Sequence, residues 1–325
     1  MIEASNLTKF YGNRRGIEAL SFHAEPGDVV GFLGPNGAGK TTTIKLLTGF
    51  FPPSSGNARV GGFDVQTQSD SVRTILGYLP ENAPTYPQMT IEGFLGFFLD
   101  LKRPGMRGAA RRAEIARVLE AVQLSDRRRQ LIRSLSKGLR QRTGLAQALL
   151  GDPAVIILDE PTAGLDPSQV QSVRELIQAE AARGRTILLS THILREVEAM
   201  AKRIVIVANG RRVAFGTVAE LTRQQTTSIR IRWRADGCSP QDVERDLRHA
   251  ACNQGDWPTR GVEVSGGVFQ LRMADNRLAA RLTSAIAQQD GWELLELTPE
   301  APSLEDIFLE SVGSANDFSA EATRA

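Results

Sequence analysis

The sequence has few of the residues that build disulfide frameworks or metal clusters. Its 325 residues include only two cysteines, Cys238 and Cys252, and three histidines. The two thiols have no metal-ligand spacing, so the sequence excludes a disulfide-rich secreted scaffold and indicates a reducing compartment. Neither cysteine is predicted to take part in chemistry.

Long apolar runs are also missing. No apolar run approaches the roughly 18 residues that are needed to span a bilayer, and the N-terminus lacks a basic segment followed by an apolar one. The net charge of +2 indicates no particular partner. We therefore expect a soluble, cytoplasmic chain, for which any membrane role requires a separate spanning subunit.

The sequence does contain a glycine-rich segment between a predicted buried strand and a predicted helix. It has the form G-x-x-x-x-G-K-[ST], in which several backbone N–H groups surround a phosphate at a helix N-terminus. We expect the Lys40 ammonium to reach the β- and γ-phosphates and the Thr41 hydroxyl to ligate Mg²⁺. The residues of this segment predicted to bind nucleotide are Gly34, Pro35, Asn36, Gly37, Ala38, Gly39, Lys40, Thr41 and Thr42.

Polar side chains follow two further apolar strands. The run at 155–158 ends in Asp159 and Glu160, and the run at 186–191 ends at His192. Because open α/β sheets bind ligands at the carboxyl ends of their strands, these side chains are expected at one edge. Asp159 is predicted to hold Mg²⁺ through water, Glu160 to orient and deprotonate the attacking water, and His192 to donate to the γ-phosphate or that water.

A predicted helical section is strongly basic. Residues 102–142 contain thirteen lysines or arginines against three acidic residues, an excess of ten positive charges. This excess indicates either a nearby acidic or membrane surface or a solvated outer face of a helical layer. Phe94, Phe97 and Phe98 precede it, and they either fill the local core or line a groove.

The last hundred residues have the pattern of a separate module. We predict a strand at 228–234, a helix from Ser239 to about 250, two strands within 262–273, a helix at 276–289 and a strand at 292–297. The order β-α-β-β-α-β is typical of a ferredoxin-like sandwich. The predicted domains are 1–222, with a helical subdomain at about 88–150, and 223–313, followed by a tail at 314–325.

Five motifs follow one another in a characteristic order. They are the phosphate loop, L-S-K-G-L-R-Q-R at 135–142, the strand ending in Asp159 and Glu160, A-G-L-D at 163–166, and Thr191-His192. Over roughly residues 1–220 this order resembles the ATP-binding subunit of ATP-binding cassette (ABC) transporters. The resemblance implies an α/β P-loop NTPase core with a parallel sheet, an antiparallel β layer and a helical subdomain.

The resemblance also implies roles for single residues. In that family the signature segment of one subunit closes on the ATP held by the phosphate loop of another, so two ATP molecules lie in a head-to-tail homodimer. Ser136 and Gly138 would then contact the γ-phosphate, Asp166 would link the two sites, and His192 would hold the γ-phosphate. Tyr11, which its position alone marks as a packing residue or a base platform, would stack on adenine.

Two departures from the family pattern concern hydrolysis more than ATP binding. Glu81 stands where the family commonly has a glutamine that ligates Mg²⁺, and Lys137 and Leu139 replace a glycine and the glutamine of the signature. A carboxylate ligates Mg²⁺ more strongly than an amide but adds negative charge near the γ-phosphate. With the segment at 303–309, these departures resemble the branch that serves multidrug, polysaccharide, lipid or gliding-type exporters.

The expected function is therefore that of the ATP-hydrolysing subunit of an exporter, located at the inner face of the cell membrane. Its partners would be an integral membrane permease and a second copy of the chain, with no nucleic acid. The alternative is a soluble cassette ATPase of DNA repair or translation, although the sequence has one phosphate loop, no long coiled-coil insertion and no zinc-type cysteine pairs. A GTPase would require an Asn-Lys-x-Asp motif, which the sequence lacks. A non-hydrolysing regulatory ATP-binding module is a further alternative.

Overall fold

The computed structural model describes residues 1–82, 86–223, 228–235, 238–239, 242–243, 245, 247, 263–265, 267–273, 276–300 and 303–308. Two compact units account for most of this chain, Met1–Val218 and Ala219–Ile307. The predicted boundary after residue 222 lies close to this division. The predicted tail at 314–325 lies outside the described residues.

The first unit alternates strands and helices after an initial β hairpin. Its elements are β1 (Ile2–Tyr11), β2 (Arg14–Ala24), β3 (Val29–Leu33), α1 (Lys40–Leu47), β4 (Ser55–Val60), β5 (Phe63–Asp64), α2 (Ser69–Ile75), β6 (Leu76–Leu79), α3 (Ile91–Lys102), α4 (Gly108–Ala121), α5 (Lys137–Leu149), β7 (Val155–Asp159), α6 (Pro167–Ala182), β8 (Thr186–Thr191), α7 (Leu194–Met200), β9 (Arg203–Ala208) and β10 (Arg211–Gly216). The next helix, α8 (Val218–Arg223), begins at the last residue of this unit.

The central sheet of this unit has six strands in the order β10-β9-β3-β8-β7-β6. All neighbours are parallel except the edge hairpin of β9 and β10. Strands β3, β7 and β8 are buried along their whole length, which explains their nearly continuous apolar sequences. The pairs Leu33↔Thr191 and Asp159↔Ser190 bring the carboxyl ends of these three strands to one edge.

An antiparallel layer with the order β2-β1-β4-β5 packs beside the central sheet. Buried side chains from both sheets share one core, including Ile2 and Leu20 from the layer and Phe32 and Leu188 from the central sheet. A turn at Gly61 and Gly62 connects β4 to β5. The layer and the parallel sheet confirm the fold class predicted for the core.

The predicted helical section is formed by α3, α4 and α5, which contact one another. Thr90 caps the N-terminus of α3, where its hydroxyl accepts a hydrogen bond from the Gly93 N–H at 3.1 Å. The helix α4 ends at Ala121, and Gln123, two residues later, has a positive φ of 58°. The helices α2, α6 and α7 and the hairpin of β9 and β10 had not been predicted.

The second unit contains β11 (Ser228–Ala235), β12 (Glu263–Ser265), β13 (Val268–Met273), α9 (Asn276–Gln288) and β14 (Trp292–Glu300). Its antiparallel sheet has the order β12-β13-β11-β14, which is the strand order of a ferredoxin-like sandwich. Trp233 is fully buried and stacks on Phe269 and Trp292, at centroid distances of 5.7 and 6.3 Å. Most of the helix predicted from Ser239 lies outside the described residues.

Within the described part of the chain, each helix is either too short or too polar to cross a bilayer.

Candidate active site

A cleft of about 570 Å³ lies at the carboxyl edge of the central sheet. It collects side chains from the β1–β2 hairpin, the phosphate loop, the segment after β6, and the ends of β7 and β8. The lining residues are Tyr11, Arg14, Arg15, Gly16, Asn36, Gly37, Gly39, Lys40, Thr41, Thr42, Glu81, Asp159, Glu160, Ala163 and His192. The structure thus brings most of the predicted nucleotide and metal ligands into one place.

The phosphate loop requires glycine directly before α1. Gly39 has a φ of +106°, and a Cβ there would lie 2.5 Å from Ile17 Cγ2 and 2.9 Å from the Gly16 carbonyl oxygen. Only glycine accepts both the dihedral angle and the contact. The next residue, Lys40, is buried, and its Nζ donates to the carbonyl oxygens of Gly34 at 2.8 Å and Pro35 at 3.4 Å. The loop therefore curls around the lysine that was predicted to meet the phosphates.

Contacts with other residues of the site hold both the backbone and the carboxylate of Glu160. Its φ of +50° is unusual for a residue other than glycine, and its backbone N–H donates to the Ser190 carbonyl oxygen at 3.1 Å. The carboxylate is buried, with Oε1 at 3.0 Å from His192 Nδ1 and 3.9 Å from Lys40 Nζ. The other oxygen, Oε2, is buried and has no hydrogen-bond partner among the described residues. A buried acceptor of this kind is costly unless a further donor binds there.

Asp159 is fully buried beside Glu160 and accepts a hydrogen bond from the Ser190 hydroxyl. Burial raises the pKa of Asp159, the Ser190 hydrogen bond opposes this, and the nearby Glu81 and Glu160 carboxylates raise it further. The Thr41 side chain lowers the pKa of Asp159, and both side chains line the cleft. Thr41 and Asp159 thus supply a hydroxyl and a carboxylate to the same cleft.

Lys40 is electrostatically coupled to the same acids. Burial lowers the pKa of Lys40, while Glu160, Asp159 and Glu81, in that order, raise it. Three carboxylates thus face one ammonium group in a partly desolvated cleft, and further positive charge would relieve their repulsion.

The cleft fits a nucleotide with a divalent cation better than a cation alone. The described residues contain no group of three or more His, Cys, Asp or Glu side chains arranged to hold a metal ion. Mg²⁺ usually binds through one or two carboxylates together with substrate phosphates and water. The donor set of Thr41 and Asp159, next to a phosphate loop and the unpartnered Glu160 Oε2, agrees with that chemistry.

Tyr11 also lines the cleft, and the residue is 42% exposed. A Cβ on Gly16 would lie 2.9 Å from the Tyr11 Cε2 atom. Arg14 pairs with Tyr11 across the β1–β2 hairpin and also lines the cleft. Arg14 and Gly16 had not been predicted as site residues, although their place at the start of β2, shortly after Tyr11, was a signal for them.

The signature segment does not line this cleft. Ser136 caps α5, where its hydroxyl accepts from the Leu139 N–H at 3.4 Å. Asp166 caps α6 and accepts from the Gln169 N–H at 2.9 Å and the Ser168 hydroxyl at 2.7 Å, and these hydrogen bonds lower the pKa of Asp166. Gly138, in the first turn of α5, packs closely against α6, because a Cβ there would lie 2.2 Å from Gln169 Oε1. Ser136, Gly138 and Asp166 thus form a second group of predicted residues, outside the first.

Comparison with known proteins identifies the family of the chain. A protein-family model described as ABC transporter matches residues 17–163. The chain is 37% identical over 220 residues to the Nod factor export ATP-binding protein I of Paraburkholderia xenovorans, covering 68% of this chain and 72% of that protein. It is 30% identical over 315 residues to the linearmycin resistance ATP-binding protein LnrL of Bacillus subtilis, covering 96% and 98%. The chain belongs to the ABC transporter family.

A longer relative matches through one segment only. ATP-binding cassette sub-family A member 2 of Rattus norvegicus is 40% identical over 213 residues, which are 65% of this chain but 9% of that protein. The chain therefore spans a small part of that relative.

Solved ABC structures share the fold of the first 220 or so residues. An ATP-binding subunit of an ABC transporter superposes with a TM-score of 0.63 at 31% identity, covering 69% of this chain and 92% of that one. A dimeric cassette bound to ADP and phosphate in a post-hydrolysis state superposes with a TM-score of 0.61 at 23% identity, covering 67% and 98%. The predicted family, the fold class predicted for the core, ATP binding and ATPase activity are thus confirmed.

Proposed function

We propose that this ABC ATPase is the ATP-hydrolysing subunit of an exporter and powers transport through a separate membrane permease. Two relatives carry names that refer to Nod factor export and linearmycin resistance, and both point toward export. The alternative of a soluble cassette ATPase in DNA repair or translation has no counterpart among those names.

The observation that carries the catalytic part of this proposal is the unpartnered, buried Oε2 atom of Glu160. An attacking water that donates to this oxygen would be oriented and deprotonated by Glu160 acting as general base. His192, at 3.0 Å from the other oxygen of the same carboxylate, would hold the γ-phosphate next to that water. Lys40 would exchange its carbonyl acceptors for the β- and γ-phosphate oxygens.

The nucleotide would bind along the length of the cleft. The N–H groups of the loop from Gly34 to Thr42 would hold the phosphates at the N-terminus of α1, and Tyr11 would stack on the adenine. Thr41 and Asp159 would hold Mg²⁺, with Glu81 as a third ligand. When bound, Mg²⁺ would neutralise charge on the β- and γ-phosphates.

The residues outside the cleft would act on a second copy of the chain. Ser136 and Gly138 at the N-terminus of α5 would meet the γ-phosphate held by the other copy, and Asp166 would link the two sites. ATP would then close a head-to-tail homodimer and hydrolysis would reopen it, so that differential binding drives the cycle. The dimeric fold of the ADP-bound cassette supports this arrangement.

The permease would bind on the helical section, at the inner face of the cell membrane. Phe97 and Tyr86 are 38% and 44% exposed and contact each other edge to face, with ring centroids 5.7 Å apart. Leu101, one turn after Phe97, is 65% exposed, whereas Phe94 is buried in the local core. An exposed apolar patch of this kind fits an apolar partner helix.

The ATPase assignment is tested by changing two lysines of one helix. Lys40→Ala removes the ammonium from the phosphate loop, and phosphate release from Mg²⁺-ATP should fall at least roughly 10²-fold, the scale of losing a charged transition-state contact. Lys45→Ala, on the same helix but outside the cleft, should retain activity within about twofold, as surface changes usually do. Equal rates for both variants would reject the proposed site.

A further inference from the structure

Lys9 lies beside Tyr11, outside the residues that line the cleft. Its Nζ donates to the Pro52 carbonyl oxygen at 2.7 Å, which fixes the end of the side chain. The ammonium lies 5.6 Å from the ring centroid of Tyr11 and 5.7 Å from that of Phe51. Both distances are within the range of a cation–π contact, so the Lys9 ammonium interacts with both the Tyr11 and the Phe51 ring.

Phe51 and Gly16 fix the position of the Tyr11 ring from two sides. Phe51 packs against the core and meets Tyr11 edge to face, with centroids 6.0 Å apart and ring planes at 81°. On the other side, a Cβ on Gly16 would lie 2.9 Å from Tyr11 Cε2 and 3.1 Å from Thr42 Cγ2. Glycine at residue 16 therefore lets the Tyr11 ring approach the start of α1.

The same helix connects this aromatic group to the phosphate loop. Lys40 begins α1, and the chain turns back after its end, where the Phe50 N–H donates to the Lys45 carbonyl oxygen at 2.8 Å. Phe51 and Pro52 follow directly. The N-terminus of α1 thus carries the phosphate loop, and its C-terminal turn carries the groups that hold Lys9 and Tyr11.

We propose that Lys9 is a positioning residue of the base-binding end of the site. It holds the Tyr11 ring through its contacts with Pro52 and Phe51. Its positive charge also draws electron density from the ring, which strengthens stacking of an electron-rich purine on the ring. This inference rests on the proposed function, in which Tyr11 stacks on adenine.

The test compares Lys9→Met with Lys45→Met in the full chain. Both changes remove one ammonium and keep the apolar stem. Lys45 is the matched control, because its Nζ lies 6.0 and 5.9 Å from the Phe50 and Phe51 rings, whereas among the described residues the ammonium over the Tyr11 ring is that of Lys9. Dissociation constants for ATP and for inorganic tripolyphosphate, which has no base, are measured by calorimetry without Mg²⁺.

Lys9→Met should weaken ATP binding about two- to fivefold, which corresponds to the usual strength of an exposed cation–π contact. The affinity for tripolyphosphate should not change. In steady-state assays KM for ATP should rise while kcat stays the same, since the lost interaction stabilises the ground state and the transition state equally. Lys9→Arg should restore ATP binding, because its guanidinium also interacts with aromatic faces.

Three results would overturn the inference. ATP binding by Lys9→Met equal to that of Lys45→Met would show that the ammonium does not act through Tyr11. An equal loss for ATP and tripolyphosphate would assign Lys9 a general structural role instead. If Lys9→Met failed to fold, Lys9→Gln would be measured against the same two criteria. Failure of the wild-type chain to bind ATP would reject the proposed function itself, and this inference with it.

Discussion

The position of the Glu160 side chain depends on a backbone conformation that the neighbouring sequence does not predict. The carboxylate was predictable from the apolar run that precedes it, since acids after a buried strand fall at the ligand edge of the sheet. The left-handed φ of +50° at Glu160 was not predictable, because it is imposed by the N–H bond to Ser190 on the next strand. Tertiary contacts of this kind decide where a predicted catalytic group points.

Glu81 allows a direct test of the proposed metal ligands. Its carboxylate lines the cleft and raises the pKa of both Lys40 and Asp159, so its charge reaches the proposed metal site. If Glu81 ligates Mg²⁺, Glu81→Gln should raise the Mg²⁺ concentration for half-maximal turnover, while metal-free ATP binding changes little. A Mg²⁺ titration of phosphate release measures this. An unchanged midpoint would mean that the Glu81 side chain acts elsewhere, most plausibly on the permease.

At the scale of elements, the carboxyl edge of the sheet was predictable and the charge of the helical section was not. The apolar runs of β3, β7 and β8 indicated strands buried on both faces, and these strands are adjacent.

The basic excess, in contrast, was counted from Lys102 onward and left out the acids of α3. Arg111 is paired with Asp100 at 2.9 and 3.1 Å, and Arg128 with Glu92 at 2.8 and 3.1 Å. Ion pairs formed across helices are invisible to a count along the chain.

The helical section also tests the exporter assignment. Phe97→Ser places a hydroxyl in the exposed apolar patch, so most of the protein should leave the membrane fraction of its native host. Arg112→Glu is the control in the same section, because Arg112 is exposed, whereas reversing Arg111 would also break its pair with Asp100. Fractionation of cell extracts with salt washes measures both.

Two results would contradict the exporter assignment. One is a wild-type protein that stays in the soluble fraction. The other is nucleic-acid binding whose salt dependence is lost in Arg112→Glu.

In the second unit, the predicted strands and the helix predicted at 276–289 are present, because periodicity along a strand or a helix is a local signal. The aromatic core is a non-local feature, since Trp233, Phe269 and Trp292 come from three different strands. Their stacking could not be inferred from spacing along the chain.

This core provides a stability test of the division into two units. Trp233→Ala removes a fully buried indole and should destabilise the second unit by about 3–5 kcal/mol. Chemical denaturation should then show an early transition for that unit, while ATP binding by the first unit persists. A single unchanged transition, or loss of ATP binding together with the early transition, would contradict the division.

At the scale of the whole molecule, the proposed dimeric cycle requires the cleft and a second group of residues that lies outside its lining. The phosphate loop, Asp159, Glu160 and His192 lie together, whereas Ser136, Gly138 and Asp166 lie outside their cleft. ATP held in one copy and contacted by the other explains why both groups would be needed. Substrate choice belongs to the permease in this scheme, so it is not encoded in the ATPase chain.

The central claim is that Glu160 is the general base of an ATP-closed dimer, and one variant measures both parts. Glu160→Gln keeps the hydrogen-bonding shape and removes the base, so phosphate release from Mg²⁺-ATP should fall by roughly 10²-fold or more. The same sample should elute as a dimer in size-exclusion chromatography with ATP and as a monomer without it. Turnover at the wild-type rate would contradict the role of Glu160, and a monomer in saturating ATP would contradict the dimeric cycle.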